Sequence, residues 1–387
     1  ISGGFYEKYN PYIRHVIRRE RKYLEDTINP DTGEPYLQKI EVELFGEEDE
    51  DALILNTYLK EAYNYAEEFC KELSRRNKGA GFLKTLLLKR IGSSIEAGRN
   101  TGNRMLNEWN TYLGETLEEE DFKDEKDMEQ TSEIKDLTKE ETELLNKYVK
   151  TLESSNAVDP KYEKTVELLR DEKWLERGTI IFSQYYDTAR WIAQNLSMEF
   201  PEETIGIYAG GTKSGIFKNG EFIYKDKETI KAKVKDRCIR VLVGTDAASE
   251  GLNLQTLGSL INIDLPWNPT RLEQRKGRIQ RIGQEYDTIY IYNMRYKDSI
   301  EDKVHKRLSE RLRNISDVFG QVPDTLEDVW IKIALGEEEE AMKLIDGVPK
   351  KHPFENRYNK EVKHIDWESC SKVLDNVEKR RFLKKGW

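Results

Sequence analysis

"IRVLVGT", Ile239 to Thr245, is a short run of β-branched and apolar residues whose pattern fits a strand covered on both faces. A strand with one wet face would alternate apolar with polar side chains. Four other runs share its texture: "TIIFS" (Thr179 to Ser183), "IGIYAG" (Ile205 to Gly210), "LINIDL" (Leu260 to Leu265) and "IYIYNM" (Ile289 to Met294). Each is followed by a helical pattern, and that alternation predicts an α/β fold, a parallel sheet with helices on both faces. In such a sheet the loops at the carboxyl ends of the strands form the binding face. The most distinctive segments of the chain fall there. "TDAASEGLNLQ" (Thr245 to Gln255) follows the third strand, and "PWNPTRLEQRKGRIQRIGQ" (Pro266 to Gln284) follows the fourth.

Outward from the strands the texture changes at Asp159-Pro160. Before it, "DALILNTYLKEAYNYAEEFCKEL" (Asp51 to Leu73) and "GFLKTLLLKRIGSSIEAGRN" (Gly81 to Asn100) carry apolar residues at helical spacing, and helical sequence continues to about Trp109. Residues 114–132 are acidic and weakly patterned, which predicts a mobile loop or a disordered insert. A third helical stretch runs from Thr138 to Leu152. After the last strand, "DSIEDKVHKRLSERLRNI" (Asp298 to Ile315) reads as a helix. Four segments result: 1–50, a helical region over 51–158, the sheet region over 159–319, and a partly helical extension over 320–387.

The chain has 387 residues and a formal net charge of -10, which argues against a protein that is basic all over. A local basic stripe is still enough for nucleic acid. Lys and Arg outnumber Asp and Glu between Pro266 and Asn314. The acids gather in "EEDED" (Glu47 to Asp51), "EEEDFKDEKD" (Glu118 to Asp127) and "EEEE" (Glu337 to Glu340). Cys70, Cys238 and Cys370 are far apart and form no CxxC pair, which argues against a disulfide framework or a zinc site. That usage fits a reducing, cytoplasmic compartment. No apolar run approaches the ~20 residues of a membrane span. The chain begins "ISGGFY", without Met or a signal-like stretch, and is expected to be a piece of something longer.

"QRKGRIQRIGQ" (Gln274 to Gln284) is the chemically loaded stretch. On a helix starting near Pro269, Gln274, Arg278 and Arg281 are spaced i, i+4, i+7 and share one face. Gly277 and Gly283 remove side chains that would hold a ligand or another backbone at a distance. Two guanidiniums on one face suit the oxygens of a triphosphate. A solvated basic face is the plain alternative. "AGGTKSG" (Ala209 to Gly215) suggests a phosphate loop, but that motif needs a Gly-Lys pair and the chain has none. It reads as a turn, followed by a hairpin, "IFKNGEFIY", with Asn219-Gly220 at its tip. The Asp-Glu pair of "DEKW" (Asp171 to Trp174) follows a helical pattern and makes a poor magnesium site.

Taken together, "IIFSQY" (Ile180 to Tyr185), "VGTDAASEGLNLQ" (Val243 to Gln255) and "DLPWNPTRLEQRKGRIQRIGQ" (Asp264 to Gln284) resemble motifs IV, V and VI of superfamily-two helicases and translocases. The "WNP...Q...GRxxRxGQ" form is similar to the Swi/Snf family of double-stranded-DNA translocases, of bacterial or archaeal type. RNA-helicase relatives usually carry "HRxGRxxR" without the trailing Gly-Gln. The resemblance covers about 159–314, and residues 9–45 resemble the end of a first lobe leading into a linker.

The resemblance implies the second RecA-like lobe of an ATP hydrolase, with mostly helical extensions before and after it. Its partners would be double-stranded DNA and the N-terminal RecA-like lobe of the same protein, with other proteins on the acidic inserts. ATP and Mg2+ would be held mainly by that N-terminal lobe, whose phosphate loop and Asp-Glu site are missing from these residues, so the chain alone is expected to be inactive. Arg278 and Arg281 take the place of catalytic arginine fingers. Gly251, Asn253 and Gln274 occupy positions that face the nucleotide. Thr245, Trp267 and Arg271 match DNA contacts. Trp267 either lies against the duplex or packs over the adjacent turn, and Arg271 either touches phosphate or pairs with an acid. The expected basic stripe on DNA runs through Arg271, Arg275, Lys276, Lys303, Lys306, Arg307 and Arg311. The family's arginine-bearing helix after the second strand is replaced here by "KDKETIKAKVKD" (Lys225 to Asp236), so those contacts do not carry over. Two other readings stand beside this one: a stand-alone DNA-binding or protein-interaction module, and an RNA-helicase lobe.

Overall fold

In the computed structural model the apolar runs become strands of one sheet. The structure describes residues 38–46, 50–76, 80–109, 136–154, 159–246, 254–266 and 269–297, with single positions elsewhere. In chain order come β1 (Glu41–Phe45) and four helices, α1 (Thr57–Arg76), α2 (Ala80–Ser93), α3 (Ile95–Asn107) and α4 (Lys139–Ser154). Next are α5 (Pro160–Arg170), the single turn α6 (Trp174–Arg177), β2 (Thr179–Ser183), α7 (Tyr186–Glu199) and β3 (Ile205–Tyr208). The hairpin β4 (Gly215–Lys218) and β5 (Glu221–Tyr224) follows, then α8 (Lys227–Lys235), β6 (Val241–Thr245), β7 (Ser259–Asn262), α9 (Pro269–Ile279) and β8 (Thr288–Asn293).

The sheet order is β1-β8-β7-β2-β6-β3-β4-β5, parallel from β1 to β3. The hairpin turns at Asn219-Gly220 as the sequence predicts, but it joins the sheet antiparallel beside β3, so the sheet is mixed. Residues 41–45, grouped with the preceding segment from the sequence, pair with β8 and form the opposite edge.

Side chains alternate between two buried cores, as the two-residue strand period dictates. Ile181, Val241, Val243, Ile205, Ile207 and Ile261 pack with α5, α6 and α7 on one face. Ile180, Phe182, Leu242, Leu260, Ile289 and Ile291 pack with α8 and Ile279 of α9 on the other. Both faces are dry, which is why these strands read as apolar throughout.

The helical region has its own core, formed by Leu59, Phe69, Leu73, Leu87, Ile91, Leu145, Tyr148 and Leu152, with Tyr296 from beyond β8. A Cβ at Gly102 of α3 would lie 2.6 Å from Val149, so glycine lets α3 and α4 approach closely. Two acceptors start the helices that border the sheet. Ser94 caps α3, its hydroxyl accepting from Ala97 N at 3.1 Å. Asp159 caps α5 through Lys161 N at 2.9 Å and also accepts from Ile95 N at 2.8 Å, tying the starts of α3 and α5 together. Burial pushes the Asp159 carboxyl above its ordinary value, against those hydrogen bonds, which favour the anion.

The chain divides into two compact units, 1–267 with 271–303, and 268–270 with 304–387; of the second, residues 269, 270, 339, 340 and 343 are described. The acidic insert, most of the helix expected over Asp298 to Ile315 and nearly all of the extension lie outside the described residues. No helix among the described residues is long and apolar enough to cross a membrane.

Candidate functional site

The chain leaves β2 toward β3 and leaves β7 toward β8, although β2 and β7 are neighbours. Connections therefore diverge between them, and a crevice at the carboxyl ends of such strands is where ligands bind in open α/β sheets. Asp264, two residues beyond β7, sits at this point with no exposed surface. Its Oδ1 accepts from Gln184 N at 2.8 Å, and its Oδ2 accepts from Ser183 Oγ at 2.6 Å and from Ser93 Oγ at 2.6 Å.

Pro269 opens α9, where its missing N–H costs nothing. Along the helix Leu272, Arg275 and Ile279 form the inward stripe, while Glu273, Gln274 and Gly277 are exposed. Arg275 is 1% exposed. Its Nε and Nη2 donate to the two carboxylate oxygens of Asp246 at 2.5 and 2.8 Å, and its Nη1 donates to Asn262 Oδ1 at 2.9 Å and Asp264 O at 3.1 Å. This corrects the expected DNA stripe: a guanidinium so buried and so fully bonded cannot also reach phosphate. Arg271 lies 3.8 Å from Asp246, which favours its reading as an acid's partner, and Lys276 lies 3.7 Å from Glu273.

Arg278 and Arg281 differ from these three. Among the described residues no carboxylate pairs with either, and the half-buried Arg278 has a buried Nε without a hydrogen-bond partner. A buried donor without a partner costs about 1–3 kcal/mol. A guanidinium without a carboxylate partner suits the oxygens of a phosphate.

The three-residue face predicted from the sequence is only partly present. Gln274 and Arg278 share a face one turn apart, but α9 ends at Ile279 and Arg281 stands beyond it, exposed, in the closing turn. Gly283 makes that turn with φ of 82°, a conformation other L-residues adopt only with strain. Gln284 then donates from Nε2 to Ile279 O at 2.8 Å and to Leu257 O at 3.0 Å. It satisfies a carbonyl at the helix end and anchors it to the segment before β7. The trailing Gly-Gln thus shapes the platform that presents Arg281.

Thr245 ends β6 and is 6% exposed. Gly251, Asn253 and Trp267 lie outside the described residues, as do Lys303, Lys306, Arg307 and Arg311. "AGGTKSG" forms a closed turn between β3 and β4, with Ser214 Oγ accepting from Ala209 N at 3.0 Å and donating to Ala209 O at 2.8 Å. Asp171 of "DEKW" caps the end of α5, away from any strand. Sequence reasoning missed Asp264 as a hub, together with Ser93, Thr188 and Lys161. Lys161 is 1% exposed and donates from Nζ to Gly92 O at 2.5 Å and Ile263 O at 2.6 Å.

Residues 160–283, from the start of α5 to the turn after α9, match the helicase conserved C-terminal domain. A relative in Bacillus subtilis (strain 168), an uncharacterized ATP-dependent helicase named YqhH, is 37% identical over 159 residues, 41% of this chain and 26% of the relative. The match thus spans about a quarter of that relative's length. Among solved structures, the C-terminal part of the Fun30 ATPase domain aligns with a TM-score of 0.44 at 18% identity, covering 78% of this chain and 99% of its own. The Pyrococcus furiosus Hef helicase domain aligns with a TM-score of 0.41 at 16% identity, covering 71% of this chain and 58% of its own.

Proposed function

We propose that this chain is the C-terminal half of an ATP-dependent double-stranded-DNA translocase of Swi/Snf type, in which Arg278 and Arg281 complete a nucleotide site shared with an N-terminal RecA-like lobe. The observation that carries the reading is the division of the cations: Arg271, Arg275 and Lys276 have acid partners, and Arg278 and Arg281 have none among the described residues. Both unpaired guanidiniums follow the switch point of the sheet, where an incoming triphosphate would sit.

ATP with Mg2+, held mainly by the N-terminal lobe, supplies the γ-phosphoryl group and part of its charge neutralisation. This chain supplies the rest. Arg278 is already partly desolvated, so its charge acts in a lower dielectric than water gives. Arginines so placed stabilise the charge that spreads over the phosphoryl oxygens as the bond breaks, an effect worth ~10³ to 10⁵ in rate. Gln274, exposed one turn before Arg278, lies on the same face, and Gly251 and Asn253 are assigned to the nucleotide side with it. Thr245 and Trp267 are assigned to the DNA side, and Arg271 would join them only by leaving its long contact to Asp246. Duplex DNA is favoured over RNA by the "WNP" and trailing Gly-Gln of the motif.

The test is steady-state ATP hydrolysis with duplex DNA, measured on the protein carrying both lobes and on the 387-residue chain alone. Turnover is expected only when both lobes are present. Turnover by the 387-residue chain, or none with both lobes, overturns the proposal.

A further inference from the structure

The helical region touches the sheet through a chain of buried hydroxyls that ends on Asp264. Ser94 and Thr188 oxygens are 2.8 Å apart, Thr188 and Ser93 oxygens are 2.8 Å apart, and Ser93 Oγ donates to Asp264 Oδ2 at 2.6 Å. An ionised carboxylate only accepts, so the direction of the chain is fixed. Ser93 spends its proton on Asp264, Thr188 donates to Ser93, and Ser94 donates to Thr188 while accepting from Ala97 N. Ser93, Ser94 and Thr188 are at most 1% exposed, so water does not replace a lost link. Such chains polarise one another and are stiff.

On its far side Asp264 meets α9. Its backbone oxygen accepts from Arg275 Nη1 at 3.1 Å, and its Oδ1 lies 3.7 Å from Arg275 Nη2. Arg275 is clamped in turn on Asp246, the residue that follows β6. Arg278 leaves α9 three residues further on. The rotation of α9 about its axis, and hence the aim of Arg278, is therefore set by the Asp264–Arg275–Asp246 unit.

We propose that Ser93 is a positioning residue for nucleotide turnover, acting through Asp264 and Arg275 on Arg278, so that the junction of α2 and α3 is coupled to the nucleotide site. This rests on the reading of Arg278 as a group that contacts ATP. Loss of the Ser93 hydroxyl leaves Ser183 as the remaining donor to Oδ2. It frees the carboxylate to shift, and Arg275 with it. A role confined to holding the helical region in place would lower stability and leave the chemistry alone.

The experiment is a double-mutant cycle in the protein carrying both lobes, read as kcat and KM for ATP at saturating duplex DNA, well below the unfolding temperature. Ser93→Ala is expected to lower kcat about 10-fold with KM within about 2-fold. In an Arg278→Ala background it is expected to have no further effect, because the group it aims is gone. Thr138→Ala is the folding control: it removes the hydroxyl that accepts from Glu141 N at the start of α4, inside the helical region and outside the hydroxyl chain, and is expected to lower Tm while keeping kcat within about 2-fold. If Ser93→Ala does not fold, Thr188→Val keeps the volume and removes the donor to Ser93, with an expected loss of kcat of about 3-fold, roughly half of the larger effect on a logarithmic scale. Unchanged kcat in Ser93→Ala, or effects that multiply with Arg278→Ala, overturn the coupling. If Arg278→Ala itself keeps normal turnover, the nucleotide reading falls first, and that result is distinct.

Discussion

Arg275 and Asp246 form a two-pronged ion pair, Nε to Oδ1 at 2.5 Å and Nη2 to Oδ2 at 2.8 Å, inside the segment that reads from the sequence as a basic surface. The pair explains why so acidic a chain holds an arginine there. It ties α9 to the end of β6.

Arg275→Ala leaves the buried Asp264 without its cation and Asp246 with only the longer contact to Arg271. Breaking a buried pair in this way costs about 3–5 kcal/mol. Arg271→Ala, removing a longer and partly exposed contact, costs less than about 1 kcal/mol. Urea denaturation of the two variants beside the parent checks both values, and equal losses contradict the assignment.

Gln284→Ala removes the two hydrogen bonds that hold the end of α9, and two unmade carbonyl bonds predict a loss of about 1–3 kcal/mol. Thermal melts report the loss. Asparagine at the same position is too short to span both carbonyls and is expected to behave like alanine.

Much of the sheet was legible because Ile180, Ile181 and Phe182 are buried whichever way they point, so no alternation disguised the strand. β1 was not, since its side chains are mostly exposed or half-buried and its place depends on β8, far along the chain. The arginine segment was legible as a cluster but not in its division of labour. Periodicity places Arg275 and Arg278 on a helix, yet only the fold brings Asp246 and Asp264 to the first and leaves the second without an acid among the described residues. Ser93 was the least legible, because its carboxylate partner is 171 residues away and its neighbours read as ordinary helix.

Burial holds the phenols of Tyr162 and Tyr292 up at about 12, from an ordinary value of 10.0. The folded state therefore favours their neutral form. Below pH 10 neither state ionises them and they add no pH dependence. Between about 10 and 12 the unfolded chain releases these protons and the folded chain does not, so stability falls as pH rises through that window. Denaturation at pH 8, 10 and 11.5 is expected to show the fall, and the Tyr162→Phe, Tyr292→Phe double variant is expected to flatten it.

On the proposed two-lobe reading, DNA binding by the 387-residue chain is expected to be weak, indifferent to sequence and lost at moderate salt, because it would use one lobe's contacts and the acidic segments repel the duplex. Affinity should fall with a log-log slope of about -0.9 per phosphate contacted. Trp267→Ala should weaken binding without changing that slope, since an indole releases no counterion. Fluorescence anisotropy at several salt concentrations reads both quantities, and tight binding that ignores salt contradicts the duplex-backbone mode.

The central claim is that Arg278 and Arg281 act on ATP, and the most direct measurement is DNA-stimulated ATP turnover in the protein carrying both lobes, with either arginine changed to alanine. The account predicts a loss of about 10³-fold or more in kcat for each variant, with affinity for duplex DNA held within about 3-fold. Turnover within about 3-fold of the parent in both variants would contradict it and leave the two arginines as solvated surface charge.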